Sequence, residues 1–227
     1  MSEQANRWSS SIEDYVRAIY GLAERGEPVT NTTLATRLRV NPSSASGMVT
    51  KLGQAGLVSH EPYRGIELTG EGELLARTIL RRHRLIESYL VSELGYTWDE
   101  VHAEADQLEH VVSDRFVSRV AGKLGNPERD PHGDPIPAPD GTIEQLSTRL
   151  LDEMEAGSVG EIVRVWDTDP ELLRYLAERA IKLGERIEVV ERQPFGGPIV
   201  VNVGPGSAAA THALGRKIAQ SLSVAVH

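Results

Sequence analysis

The chain has 227 residues, 40% of them hydrophobic, with 24 basic and 33 acidic side chains, a net charge of −9 and no cysteine. That length and apolar content suffice for two small domains, or one domain with an appendage. The missing cysteines exclude disulfides, thiol catalysis and sulfur ligands, so a bound metal would take nitrogen and oxygen only. No apolar run approaches the ~20 residues of a membrane span, and the polar stretch Met1 to Ser11 lacks the apolar core of a signal peptide. A cytoplasmic protein is expected.

Residues 11–25 read as a first helix, with Ile12, Tyr15, Val16, Ile19 and Leu22 at helical spacing, Ser10 or Ser11 as cap and Gly26 as stop. Asp14 falls in its first turn. Residues 31–39 form a short second helix with Leu34, Ala35 and Leu38 inward. Asn41-Pro42 then starts a third, Asn41 as N-cap and Pro42 at the first helical position, running through Ala45, Met48, Val49 and Leu52 to Gly56. Residues 57–60 and 65–68 read as a hairpin, after which Thr69-Gly70-Glu71 opens a long helix over 73–94. Helix, short helix, helix and hairpin in this order predict a winged helix-turn-helix over 1–75, whose third helix enters the major groove.

The overall acidity argues against DNA binding, but it is weighted away from this N-terminal third, which is close to charge balance. The outward side of residues 42–51 carries Ser43, Ser44, Ser46, Gly47, Thr50 and Lys51. Short hydroxyls, a glycine and one cation can approach phosphates and base edges without bulky stems. Asn41, Ser43, Ser44, Ser46, Gly47 and Lys51 are the candidate DNA contacts, joined by Arg64 at the tip of the wing.

Residues 98–120 read as a further long helix, with Val101, Ala105, Leu108, Val111, Val112 and Phe116 on its apolar side. Two long helices exceed what a winged domain needs, so 76–140 is expected to be a helical dimerisation domain, two-fold symmetry matching a palindromic operator. These helices also carry three of the chain's seven histidines. Asp106, Glu109 and His110 stand at i, i+3 and i+4, His102 one turn before Asp106, and His83 faces Glu87 across one turn. Singly, each pair reads as an ordinary helix-surface contact. Together they lay out a divalent-metal site, because neighbouring buried carboxylates cost several kcal/mol unless a cation compensates them. Carboxylates with imidazole and no sulfur suit Mn²⁺ or Fe²⁺.

Residues 125–147 are dense in proline and glycine and read as an extended linker, with His132 a surface loop residue. Beyond it, 160–165, 186–190 and 198–203 read as strands, 170–182 as a helix and 206–218 as a short helical piece. Such strands with glycine-rich turns predict a small open barrel over 148–227. The fold class is therefore mainly α with small β elements.

Over about 140 residues the chain resembles the diphtheria-toxin-repressor/manganese-transport-regulator family of metal-dependent transcription regulators. The resemblance runs through Glu13-Asp14-Tyr15, Ser43-Ser44-Ala45-Ser46, Gly56-Leu57-Val58, Arg82-His83-Arg84-Leu85 and Glu109-His110-Val111-Val112-Ser113 to Pro131-His132-Gly133-Asp134-Pro135-Ile136-Pro137. It implies an SH3-like (FeoA-like) third domain. It further implies a main metal site at Asp14, Asp106, Glu109 and His110, and an ancillary site at His83, Glu87 and His102, with Asp167 near a third-domain ligand position. Iron-sensing members carry methionine and cysteine where Asp14 and Asp106 stand, so the resemblance points to manganese. Arg17 stands where the short manganese regulators have a glutamate. The implied function is a metal-activated homodimer binding a palindromic double-stranded DNA operator, repressing manganese-uptake genes, with no membrane and no small organic substrate involved. An iron(II)-dependent repressor of iron-acquisition genes and a Mn- or Fe-dependent hydrolase are the alternatives.

Overall fold

The computed structural model describes residues 8–61, 65–166 and 169–226. They form two compact units: Met1–Ile86 with Gln107–Gly125 and Ile136–Ile143, and Glu87–Asp106 with Asn126–Pro135 and Glu144–His227. Among the described residues no helix is long and apolar enough to cross a membrane.

The first unit begins with α1 (Ser10–Glu24), α2 (Asn31–Leu38) and α3 (Pro42–Gln54), each punctuated by local chemistry. α1 buries Ile12, Tyr15, Val16, Ile19 and Leu22, the stripe expected from spacing. A reciprocal capping box starts α2: Thr33 N–H donates to Thr30 Oγ1 at 3.1 Å, and Thr30 N–H to Thr33 Oγ1 at 2.9 Å. Asn41 Oδ1 accepts the Ser44 N–H at 2.7 Å, and Pro42 opens α3. The strands β1 (Val58–Glu61) and β2 (Gly65–Leu68) pair antiparallel, with Ser59 opposite Glu67. Val16, Leu34, Ala45, Leu52, Leu57 and Ala76 are fully buried at the centre of this winged helix-turn-helix.

α4 (Gly70–Leu94) starts three residues earlier than the sequence reading. Thr69 explains the extra turn: its Oγ1 accepts the Gly72 N–H at 3.1 Å and donates to the Gly56 carbonyl at 2.7 Å. Gly72 lies against the backbone, since a Cβ there would sit 2.1 Å from the Leu57 carbonyl oxygen. The single helix expected over 98–120 is instead α5 (Val101–Leu108) and α6 (Asp114–Lys123). The break comes at Ser113, whose backbone is extended (φ −81°, ψ 153°) and whose hydroxyl accepts the Phe116 N–H at 3.2 Å. Val111 and Val112 N–H both turn back to the Leu108 carbonyl, at 3.0 and 3.1 Å. A competent cap inside an apolar-periodic run thus ends one helix and begins another.

The second unit is built on a six-stranded antiparallel sheet in the order β3-β8-β4-β5-β6-β7. Its strands are β3 (Arg149–Leu150), β4 (Val159–Val165), β5 (Arg186–Arg192), β6 (Ile199–Val203), β7 (Ala210–Leu214) and β8 (Leu222–Val226), with helices α7 (Pro170–Glu178) and α8 (Arg216–Ser221). The register shifts once along β4 against β8 and once along β5 against β6, as at a β-bulge, which raises the local twist of a strand. Ile162, Leu173, Leu176, Ile187, Val189, Val201, Leu214 and Val224 fill its core, and Trp98 packs against it. The helical piece expected over 206–218 is a correction. Gly206–Ala208 makes one 3-10 turn, β7 pairs with β6 from Val203–Ala210 to Ile199–Leu214, and only Arg216–Ser221 is helical. Pairing with an open sheet edge overrides the helix propensity of an alanine-rich run.

The proline-rich segment is also not a free linker. His132 C=O accepts the Val165 N–H at 2.9 Å, Asp134 pairs with Arg164, and a Cβ on Gly133 would collide with the Val163 carbonyl. Residues 126–135 therefore lie along β4. His132, expected on the surface, is 5% exposed, because its Nε2 is anchored 2.9 Å from the Trp98 carbonyl and its ring stacks beside the Trp98 indole.

Candidate metal centre and nucleic-acid interface

The first unit brings three elements to one locus: the start of α1, the middle of α4, and the turn between α5 and α6. Because the helix stops at Leu108, Glu109 and His110 leave it together and turn toward α1. Arg82 fixes that turn. Its Nη1 donates to the Glu109 carbonyl at 3.0 Å and lies 3.9 Å from Glu13 Oε2, while Nη2 reaches Asp114 Oδ1 at 3.3 Å.

His110 sits between two carboxylates of α1. Its Nδ1 is 2.8 Å from Glu13 Oε2 and its Nε2 is 3.0 Å from Asp14 Oδ1. Glu13, buried beside Arg82, can accept an Nδ1–H, and Nε2, at hydrogen-bond distance from Asp14 Oδ1 and 3.4 Å from Glu109 Oε1, is then the nitrogen a cation would meet. A carboxylate on one imidazole nitrogen and open coordination on the other is how proteins present a metal-binding histidine. One donor atom from each of Asp14, Glu109 and His110 lies within 4.8 Å of the others. Glu109 is fully buried, and its Oε1 has no hydrogen-bond partner. An orphaned buried carboxylate oxygen costs about 1–3 kcal/mol or more unless something positive meets it. The set of two carboxylates and one imidazole fits a hard or borderline divalent cation.

The other oxygen of Glu109 is occupied. Oε2 lies 2.6 Å from His83 Nδ1 and 3.3 Å from Arg17 Nη1. His83, read from the sequence with the ancillary group, faces this centre through its Nδ1. Asp106 is still on α5 and lies 3.6 Å from His102 Nε2, while His102 Nδ1 is 3.1 Å from Glu87 Oε1. The helical i, i+3, i+4 argument for Asp106, Glu109 and His110 therefore does not hold as geometry, since α5 ends between them. Asp167 and Arg64 lie outside the described residues.

Glu13, Arg17 and Arg82 were not among the predicted site residues. Glu13 carried a readable signal, an acidic residue flanked by the buried positions Ile12 and Tyr15 of an amphipathic helix. A further group, Glu87, Asp130 and His132, is wholly buried in the second unit, its donor atoms within 4.8 Å of one another. Asp130 builds the loop there, accepting the His132 and Asp134 N–H groups at 2.8 and 2.9 Å.

On α3, Ser43, Ser44, Ser46, Gly47, Thr50 and Lys51 are all exposed along one side, with Ala45, Val49 and Leu52 buried on the other. Asn41 is partly committed, its Oδ1 accepting from both Ser44 N–H and Ser43 Oγ–H, each at 2.7 Å. Gly47 stands out. A glycine inside a helix costs about 1 kcal/mol relative to alanine, and a Cβ at this position would meet nothing within 4 Å. Nothing among the described residues requires the bare backbone there.

Three family models match successive segments: the iron-dependent-repressor N-terminal DNA-binding domain at residues 7–66, the iron-dependent-repressor metal-binding and dimerisation domain at 69–138, and the FeoA domain at 149–226. The iron-dependent repressor IdeR of Mycobacterium leprae is 31% identical over 220 residues, covering 92% of this chain and 95% of IdeR. A solved manganese-dependent transcriptional repressor in complex with manganese is 42% identical, covers 95% of this chain and 100% of its own, and superposes with a TM-score of 0.90. The manganese regulator SloR is 32% identical over 95% of this chain and 98% of its own, with a TM-score of 0.81. These relatives are named as metal-dependent repressors or, for SloR, a manganese regulator, and the matched N-terminal model is a DNA-binding domain, which places the chain with transcriptional regulators and not with hydrolases. The chain belongs to the diphtheria-toxin-repressor family of metal-dependent transcriptional regulators.

Proposed function

We propose that this repressor is switched by Mn²⁺ held at Asp14, Glu109 and His110. The observation that carries the reading is the convergence of Asp14 Oδ1 and His110 Nε2 on the unsatisfied, buried Glu109 Oε1. All donors are oxygen or nitrogen, and a chain with no cysteine has no thiolate to favour a softer ion. When bound, the cation supplies the positive charge that lets three donors from two parts of the unit share one locus. The residues do the rest. Asp14 belongs to the helix that opens the winged domain, and Glu109 and His110 to the turn braced by Arg82. Holding them together fixes α1, and with it α3, against that turn.

The segments 1–75, 76–140 and 148–227 are assigned to DNA binding, metal binding with dimerisation, and an SH3-like module. Exposed Val111 and Phe116, at 77% and 44%, supply apolar surface at the α5–α6 turn for a homodimer. A dimer would present two copies of α3 to a palindromic operator in the cytoplasm, with Ser43, Ser44, Ser46, Gly47 and Lys51 at the DNA. Asp106 and the Glu87–His102 pair remain as further ligands from the sequence reading. Repression of manganese-uptake genes is the physiological role this implies. Iron is the metal in the name of the mycobacterial relative, and as Fe²⁺ it shares the preference for these donors, so a direct comparison decides between them.

The test is a mobility-shift titration of operator DNA with Mn²⁺, Fe²⁺, Zn²⁺ and chelator, using the full chain and Asp14→Ala. Mn²⁺ should promote binding by the full chain, and Asp14→Ala should lose the metal response while its far-UV spectrum is unchanged. An undiminished Mn²⁺ response in Asp14→Ala would overturn the assignment.

A further inference from the structure

α2 hands over to α3 through a residue whose backbone conformation its side chain opposes. The helix closes as a Schellman pair: Arg39 N–H donates to the Thr36 carbonyl at 3.3 Å, and Val40 N–H to the Ala35 carbonyl at 3.0 Å. That closure holds Arg39 in the left-handed region, at φ 54° and ψ 41°, where a Cβ crowds the backbone and glycine is the usual occupant. Arg39 is exposed and, among the described residues, makes no hydrogen bond, ion pair or ring contact. A cation at the C-terminus of α2 would favour the helix dipole, but Arg37 in the last turn already supplies one. Lys51, in the last turn of α3, is likewise exposed and without a partner among the described residues. By contrast Arg17, Arg25 and Arg77 of the same unit pair with carboxylates, at 3.3, 4.0 and 3.0 Å.

We propose that Arg39 is a phosphate contact of the DNA-bound repressor, bracketing the exposed side of α3 together with Lys51. The strained backbone is explained if the guanidinium is needed outside the chain. In a chain of net charge −9, two unpaired cations at the ends of one exposed helix face supply the local positive surface that DNA requires. From Pro42 to Lys51 α3 rises about 14 Å, comparable with the roughly 12 Å width of the major groove. A cation at each end of that stretch meets the phosphates lining the groove, while Ser43, Ser46 and Thr50 between them face the base edges. The Schellman closure fixes the direction in which Arg39 leaves the backbone, so its contact sets the angle at which α3 enters. Phosphate contacts carry no sequence information. Arg39 therefore adds affinity on every duplex alike and leaves the choice of operator to α3 itself.

The inference rests on the reading that α3 faces DNA, and not on which metal activates the chain. The probes are a duplex selected by the Mn²⁺-loaded full chain from a random-sequence pool, and a scrambled duplex of equal length. Binding of the full chain, Arg39→Gly and Arg39→Lys to both is measured over a range of salt concentrations. For Arg39→Gly, the slope of log affinity against log salt should become shallower by about 0.9 per bound chain on either duplex. Affinity should fall by the same factor on both, leaving the ratio between them unchanged. Arg39→Lys, which keeps the charge, should keep the parent slope. Because glycine suits the left-handed backbone, Arg39→Gly should melt no lower than the parent, so its weaker binding is not misfolding. An unchanged slope in Arg39→Gly, or a slope lost equally in Arg39→Lys, overturns the contact. So does a clearly lower melting midpoint, which would give Arg39 a structural role, or a loss confined to the selected duplex, which would make it a base reader. If Mn²⁺ selects no duplex, the proposed switch fails, and the slope on the scrambled duplex still decides the role of Arg39.

Discussion

Ser113→Ala tests whether the break between α5 and α6 makes the metal centre. The hydroxyl of Ser113 accepts the Phe116 N–H at 3.2 Å and is the side-chain cap of α6. Replacing an N-cap serine with alanine costs about 1 kcal/mol, within a range of roughly 0.5–2. The turn that loses this support is the one carrying Glu109 and His110 to Asp14, so the cost should fall on the metal-competent conformation. At about 1.4 kcal/mol per tenfold change in affinity, that weakens Mn²⁺ binding by about fivefold. Calorimetric titration at neutral pH measures it, with Ser113→Thr as the variant that keeps the cap and should remain within about twofold of the parent. Amide exchange at Phe116 reports independently whether the cap has gone. Faster exchange at Phe116 with unchanged Mn²⁺ affinity in Ser113→Ala would show that the break does not set the site.

Two further substitutions address the fold. Gly72→Ala would place a Cβ about 2.1 Å from the Leu57 carbonyl oxygen, and the displaced start of α4 should cost the winged unit about 1–3 kcal/mol, read as a lower thermal midpoint; an unchanged midpoint would show that α4 shifts freely. In the second unit, burial and then the nearby Arg179 lower the pKa of His212, whose Nε2 is buried without a hydrogen bond. The unfolded chain therefore takes up that proton first, so the unit should lose stability as pH falls from the ordinary histidine value near 6.5 toward the lowered one. Urea unfolding at pH 7.5 and 5.5 should show this loss, His212→Gln should reduce it, and an identical pH response in the variant would refute the cause.

What could be read from the sequence followed locality. α3 was legible to the residue at its start because Asn41 and Pro42 act on their own neighbours. The hairpin and the strands β4, β5 and β6 were visible as β-branched runs between turn residues. The short strand β3 and the strand β7 were not, since Ala210-Thr211-His212-Ala213-Leu214 becomes a strand only by pairing with β6. Ser113 was in plain view, but apolar periodicity continued past it through Phe116, and periodicity outweighed a single capping residue. That one error also set the geometry of the candidate centre, placing Asp106 on the same face as Glu109 and His110. Spacing and residue chemistry pointed to Glu109 and His110, whereas Asp14 was joined to them only through a family resemblance. The parts played by Glu13, Arg17 and Arg82 depend on contacts between residues 27 to 97 apart in the chain, and no local pattern carries those. His132 was misread for the same reason: proline-rich texture describes the backbone of a segment, not the surface it docks against.

The donor side chains at the proposed centre differ in their access to water. Glu109 is sealed at 0% exposure, His110 reaches 15%, and Asp14 stands at 39%. With a cation bound there, water would reach it most easily past Asp14, the most exposed of the three donors. Exchange with the surroundings would then be governed by the one ligand that belongs to the winged domain. For a regulator this would join two clocks: the step opening the centre to a falling metal supply would be the same step that frees the DNA-binding helices. Release of the signal and release of the grip would occur together, with no slower relay between them.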